Sequence, residues 1–248
     1  MSLFPARHSD GDRLTIAGAT IRLSVNSRAR RVFLRVDRAR AEIVAVAPSQ
    51  RKLAEAVAFA HLRAEWIADH MADLPAAAPF TPGQTLTLFG KPVVLGVTTG
   101  RPRRLIDPTG GPDRILAPDR GGDDEEAWRA AIIRLLKREA MTGLTARTAQ
   151  FCDTIGQPLP QIGVADARSR WGSCRPARKG REALIRYSWR VMMAPVEIAD
   201  YLCAHECAHL VRADHSPAFW EVVQGLIGDP KAHRAWLRRH GSALHGMG

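Results

Sequence analysis

A chain of 248 residues with 46% hydrophobic composition is long enough to bury a full core without cross-links, as one large domain or two smaller ones. Its formal net charge of +11 points to anionic partners or acidic substrates. The longest purely apolar run, IVAVA at 43–47, is far too short to cross a bilayer, and the N-terminus is polar within a few residues, so a cytoplasmic protein with no membrane partner is expected.

Taken in chain order, TIRLSV (20–25), VFLRV (32–36) and AEIVAVA (41–47) are short runs rich in Val, Ile and Leu, which predict a small, mostly antiparallel sheet. Leu53, Val57, Ala60, Ala64, Ile67 and Met71 recur at spacings of four and three, the stripe of one amphipathic helix that stops before Pro75. TLTLFG and PVVLGV around the turn-prone GKP read as a hairpin. Residues 1–100 are therefore expected to form a β-rich N-terminal region. Between Gly100 and Asp124 the chain is rich in Gly, Pro, Asp and Arg, and only RILA (114–117) reads as a strand, so 101–124 is expected to be a linker or mobile loop.

Glu125 and Glu126 open a second helical pattern, with Trp128, Ile132, Leu135, Leu136 and Leu144 on its apolar face and Gly156 as its stop. QIGVADA (161–167) and ALIRYSWRVMM (183–193) read as strands flanking a basic turn region. Pro195 suits the first position of the next helix. Ser216 and Pro217 form the cap and first residue of another, and a last helix ends near Gly241. No internal repeat is evident. The fold class is α+β, with 125–248 as the second domain.

Cys152, Cys174, Cys203 and Cys207 are few for this length, and Cys203 and Cys207 fall one turn apart on a predicted helix, which argues against a disulfide framework and for small buried thiols. Between residues 168 and 190, Arg168, Arg170, Arg175, Arg178, Lys179, Arg181, Arg186 and Arg190 face a single acid, Glu182. Such a stripe is either a solvated face or a surface for nucleic acid or another polyanion.

The chemistry concentrates in HECAHLVRADHS, 205–216. On a helix His205 and His209 project from one face and can offer nitrogens to one ion, while Glu206 points about one residue's rotation away. That is the reason for HExxH in zinc hydrolases, where two ligands converge and a carboxylate stands beside the metal-bound water. The helix VEIADYLCAHECAHLV is apolar on nearly every side, so its imidazoles and carboxylate need partners once buried. His215 lies close enough to supply the third ligand that a catalytic zinc requires, ahead of Glu221 on the following helix, and the restart at Ser216 fixes its place. The rival reading makes His205 and His209 core histidines and His215 a loop residue. The metzincin pattern fails, because Arg212 stands where its glycine belongs and the only downstream methionine is Met247.

RSRWGSC (168–174), ALIRYSWRVMMAP, DYLCAHECAHL and DHSPAFW together resemble the YgjP-like metallopeptidases, relatives of the WLM and SprT-like zincins, and PGQTLTLFGKPVVL (82–95) resembles that family's N-terminal hairpin. The resemblance implies a zincin-like α+β catalytic domain with the HExxH helix central and Zn2+ held by His205, His209 and His215. It implies Glu206 as the acid/base of peptide hydrolysis. Arg170 and Tyr201 are the candidate donors to the developing oxyanion, and an edge strand around Arg170 and Trp171 is expected to align an extended peptide or protein substrate. Cys207 departs from the leucine common in the family, a tolerable change in a buried helix. Two other readings stand beside this one. A metal-dependent ribonuclease is suggested by similarity to YbeY-type RNA-processing proteins, which share the three-histidine spacing. A non-catalytic zinc module would have a closed ligand set. The basic stripe also fits a protease working near nucleic acid, as SprT-like relatives do.

Overall fold

The computed structural model describes residues 8–37, 42–72, 79–119, 125–167 and 170–248; Pro75, Arg168 and the 120–124 end of the expected linker lie outside them. The chain divides into two compact units, Met1–Ala77 and Ala78–Gly248.

In the first unit, strands β1 (Arg13–Ile16), β2 (Ala19–Val25), β3 (Phe33–Asp37) and β4 (Glu42–Ala47) form a sheet of order β1-β2-β4-β3. Its core is Ile21, Leu23, Ile43, Ala45 and Ala47, covered by Leu53, Ala56, Ala60 and Ile67. The predicted single helix is two, α1 (Leu53–Leu62) and α2 (Ala64–Ala72), because Arg63 leaves helical geometry at φ −111°, ψ 26°. The sheet is mixed, since β2 and β4 run parallel.

The second unit begins with β5 (Thr85–Leu88), β6 (Lys91–Thr98), β7 (Arg103–Leu105) and β8 (Asp113–Pro118), a sheet of order β5-β6-β8-β7. The division between units thus precedes the hairpin instead of falling near residue 100. The described part of 101–124 carries β7 and β8, the latter holding the strand read in RILA, and the expectation of a linker there is corrected: Ile115, Leu116 and Ala117 are buried along a parallel pairing with β6. Arg104 ties β7 to the neighbouring elements through Asp113 (2.6 Å) and Glu139 (2.5 Å).

The chain does contain a repeat. Both four-stranded sheets run antiparallel, parallel, antiparallel across their order, and both are followed by a helix. A constant offset carries Gly11 onto Gly83, Gly18 onto Gly90 and Leu23 onto Leu95. Gly11 N–H donates to the Leu23 carbonyl (3.0 Å) as Gly83 N–H donates to that of Leu95 (2.8 Å). The two hairpin turns share a left-handed pair, Ala17–Gly18 at φ 50° and 75° and Phe89–Gly90 at φ 49° and 82°. That pair matches strand twist in two-residue hairpins.

Helix α3 (Glu125–Thr154) packs on β8 and β9 and on helix α4. Strands β9 (Gln161–Ala165), β10 (Gly172–Arg175) and β11 (Leu184–Ser188) form a third sheet with β10 at one edge, order β10-β11-β9. The strand predicted through 193 ends at Ser188, and Trp189–Met193 forms a buried 3-10 turn. Helices α4 (Val196–Val211), α5 (Pro217–Ile227) and α6 (Lys231–Gly246) complete the unit. Pro195 caps α4 from the position before its first residue, and α6 runs on past Gly241. A Cβ at Gly241 would lie 3.2 Å from Trp171, so that glycine serves close packing and not helix termination. Among the described residues no helix is long and apolar enough to cross a membrane.

Arg190 is fully buried and does not belong to a solvated basic face. It pairs with Asp166 and donates to the carbonyls of Met247 (2.8 Å) and Gly248 (3.2 Å). Replacing Arg190 with Met removes the donor to a carboxylate and two carbonyls, and urea denaturation should show a loss of about 2–4 kcal/mol.

Candidate metal centre

The site grows from α4, whose Ile198, Ala199, Leu202, Cys203, Cys207 and Ala208 are buried and hold the helix in the core of the second unit. His205 and His209, one turn apart, present their rings on one face, centroids 5.0 Å apart. The chain then leaves α4 at Arg212 in extended geometry. Ser216 is the residue before α5, but its side chain bonds to Asp214 (2.8 Å) and makes no helix cap. That local bond shapes the turn from which His215 comes back to the helix. The candidate ligand atoms of the three histidines lie within 4.8 Å of one another, and the Nε2 atoms of His205 and His215 are 3.3 Å apart.

Phe219, fully buried on α5, backs all three rings, at centroid distances of 4.9 Å to His205, 4.5 Å to His209 and 4.8 Å to His215. His209 Nδ1 is 3.0 Å from the carbonyl of Arg212, an arrangement that makes Nδ1 the donor and leaves Nε2 as a lone pair. Burial pushes His205 down to about 4, helped by its histidine neighbours and Arg234, and burial also lowers His209 against its bond to Arg212. Both are thus kept neutral, as ligands must be.

Glu206 is buried on the side of α4 that faces β10. Its Oε2 is buried with no hydrogen-bond partner. Burial pushes the carboxyl up to about 8, and Arg170 alone pulls it back. Residues 30–240 match the family model described as YgjP-like, metallopeptidase domain.

The chain belongs to the YgjP-like metallopeptidase family. A member of this family is a hydrolase that works with a divalent metal, and the residues in hand fit one. A tetrahedral ion with Zn–N bonds of about 2.0–2.1 Å has ligand atoms about 3.3 Å apart, the spacing of the His205 and His215 nitrogens. A cation would also offset the burial of Glu206 in the same sense as Arg170. Among solved structures, the crystal structure of the metallopeptidase zymogen of Pyrococcus abyssi abylysin is similar over 42% of this chain and 99% of that one, at 20% identity and TM-score 0.33. None of the curated proteins matches.

Other residues singled out in the sequence take distinct places around this YgjP-like centre. Tyr201 is buried one turn before His205, its ring edge-on to that imidazole (5.9 Å) and stacked on His233 of α6 (5.5 Å). Burial raises its pKa. Arg170 is exposed and acts on Glu206. Glu221 is exposed and does not join the histidine cluster. Trp171, half-buried, stacks on His245 (3.8 Å) and lies against Gly241, which anchors the start of β10 to α6. The four cysteines are free; Cys152 and Cys207 touch at 3.7 Å between α3 and α4, and burial pushes Cys174 and Cys203 up to about 12.

The edge strand expected around Arg170 and Trp171 is β10, which begins at Gly172, but sequence reasoning gave no role to Phe219 or to Gly172. A lone glycine inside WGSC was the available signal, since glycine in a strand marks close approach of another group. Ser188 N–H donates to the Trp171 carbonyl (2.8 Å), so Gly172 and Tyr187 form a non-hydrogen-bonded pair. The N–H and C=O of Gly172 then point to the open edge of the sheet. Phe219→Ala should weaken divalent-metal binding by about 10–100-fold with every ligand intact, because the backing of all three rings is lost; competition with a chromophoric chelator measures it.

Proposed function

We propose that this chain is a zinc-dependent peptidase that hydrolyses extended peptide segments laid along the edge of β10. The observation that carries this reading is the convergence of three imidazoles beside a buried carboxylate with no hydrogen-bond partner on one oxygen. His205, His209 and His215 would hold the ion, leaving a coordination position open because no fourth His, Cys, Asp or Glu joins them among the described residues. When bound, zinc lowers the pKa of water towards about 7 and polarises a carbonyl.

The chain's own groups do the rest. Glu206 takes the proton of the attacking water and hands it to the departing amine. Tyr201, kept protonated by burial, donates to the oxygen that gains charge. Arg170 holds Glu206 towards its ionised form before the proton arrives. The outward N–H and C=O of Gly172 pair with the substrate backbone, which fixes the scissile carbonyl by strand addition. The family match and the carboxylate beside the histidines support peptide over phosphodiester chemistry.

A nucleic-acid partner remains a second reading, carried by Arg170, Arg178, Lys179, Arg181 and Arg186, all exposed. It predicts binding of single- or double-stranded DNA or RNA that weakens steeply with salt. With a labelled casein as substrate, Glu206→Gln should keep its zinc and lose about 100- to 10,000-fold in turnover. His205→Ala and His209→Ala should lose the metal itself, measured by elemental analysis. Undiminished cleavage by Glu206→Gln would sink the assigned role. RNA cleavage abolished by His205→Ala, with no proteolysis, would establish the nuclease instead.

A further inference from the structure

Strand β10 passes so close to α4 that position 172 has no room for a side chain. A Cβ built on Gly172 would lie 2.7 Å from Cδ and 2.8 Å from Cγ of Glu206, with Oε1 nearer still. Real Cβ atoms do not approach that closely, so an alanine here would force the carboxylate to move. Backbone conformation gives no reason for the glycine, because Gly172 is not among the residues with positive φ. Gly172 opens β10 in extended backbone, where alanine loses less conformational freedom and would ordinarily be the better residue. The local preference is therefore overridden by the neighbour.

We infer that Gly172 is a positioning residue: the bare backbone of β10 is the seat that fixes the Glu206 carboxylate beside the three histidines. The inference rests on the general-base role proposed for Glu206. Its physical content is separate. Glu206 is 4% exposed, so a carboxylate displaced from this seat cannot simply turn into solvent. Trp171, immediately before the strand, is pinned by Gly241 and His245 of α6, which holds the start of β10 in place. The strand and the helix fix the carboxylate between them, and the WGSC segment divides its work between an anchor (Trp171) and a seat (Gly172).

The test is a double-mutant cycle between positions 172 and 206, read by thermal unfolding and by casein cleavage with zinc content checked. Gly172→Ala alone should lower the unfolding midpoint and reduce kcat by about 100-fold with KM little changed, as expected when a reacting group is misplaced and substrate binding is not. In the Glu206→Ala background the same alanine should cost nothing in stability, leaving the midpoint within about 1 °C of the Glu206→Ala protein or above it. Glu206→Asp, whose carboxylate is one methylene shorter, should make the loss of activity on adding Gly172→Ala less than multiplicative. Equal destabilisation by Gly172→Ala with and without the Glu206 side chain would overturn the inference, as would a kcat within threefold of the unaltered protein. If Gly172→Ala fails to fold, recovery of folding in Gly172→Ala/Glu206→Ala supports the seat and its absence overturns it. Retained turnover in Glu206→Gln would refute the general-base reading, and the stability cycle would still decide the seat.

Discussion

Helix α4 carries a buried carboxylate and a partly buried imidazole into the core of the second unit, and the elements around it are arranged about that burial. Removing Glu206 and His205 from solvent disfavours their charged forms, so each shifts towards neutrality. The surrounding elements answer this constraint one by one. Phe219 of α5 backs the imidazoles, the turn at Asp214 and Ser216 returns His215, and β10 offers a strand without a side chain where the carboxylate sits. Together they leave a cluster whose unmet need is a cation.

The same sheet-and-helix unit occurs twice, and the two copies are put to different uses. In the first, sheet β1–β4 closes its own core with α1 and α2. In the second, sheet β5–β8 is followed by α3, which is 30 residues long against 10 for α1, and which extends beyond its sheet to pack on α4. Thr148 bonds there to Tyr187 of β11 (2.9 Å). The hairpin turn at Phe89 is tied to the 3-10 segment by a bond to the Met192 carbonyl (2.7 Å). A scaffold that stands by itself in the first unit has become the platform for the metal centre in the second.

What the sequence disclosed was what short-range spacing encodes. His205 and His209 are neighbours by helix periodicity, and the restart at Pro217 follows from proline geometry, so the histidine cluster could be read before any contact was known. The repeat escaped because it lives in hydrogen-bond pattern and turn conformation, with only scattered identities such as Gly11 with Gly83 and Gly18 with Gly90. The strand read in RILA is β8, whereas β7 escaped because its three residues, Arg103–Leu105, are mostly exposed and the glycines and prolines around them dominate the local composition. Arg190 and Gly241 were misread for one reason. A charged side chain in a basic run and a glycine near a helix end have conventional meanings, and here burial against distant residues replaced them.

Trp171, which holds the start of β10, takes its support from Gly241 and His245, and Arg190 takes part of its own from the carbonyls of Met247 and Gly248. All four lie after the histidines in the chain. A ribosome adding about 5–20 residues per second therefore releases the histidine-bearing helix α4 seconds before the residues that clamp the strand beside it. During that interval the growing polypeptide carries its three histidines without the fixed strand beside them.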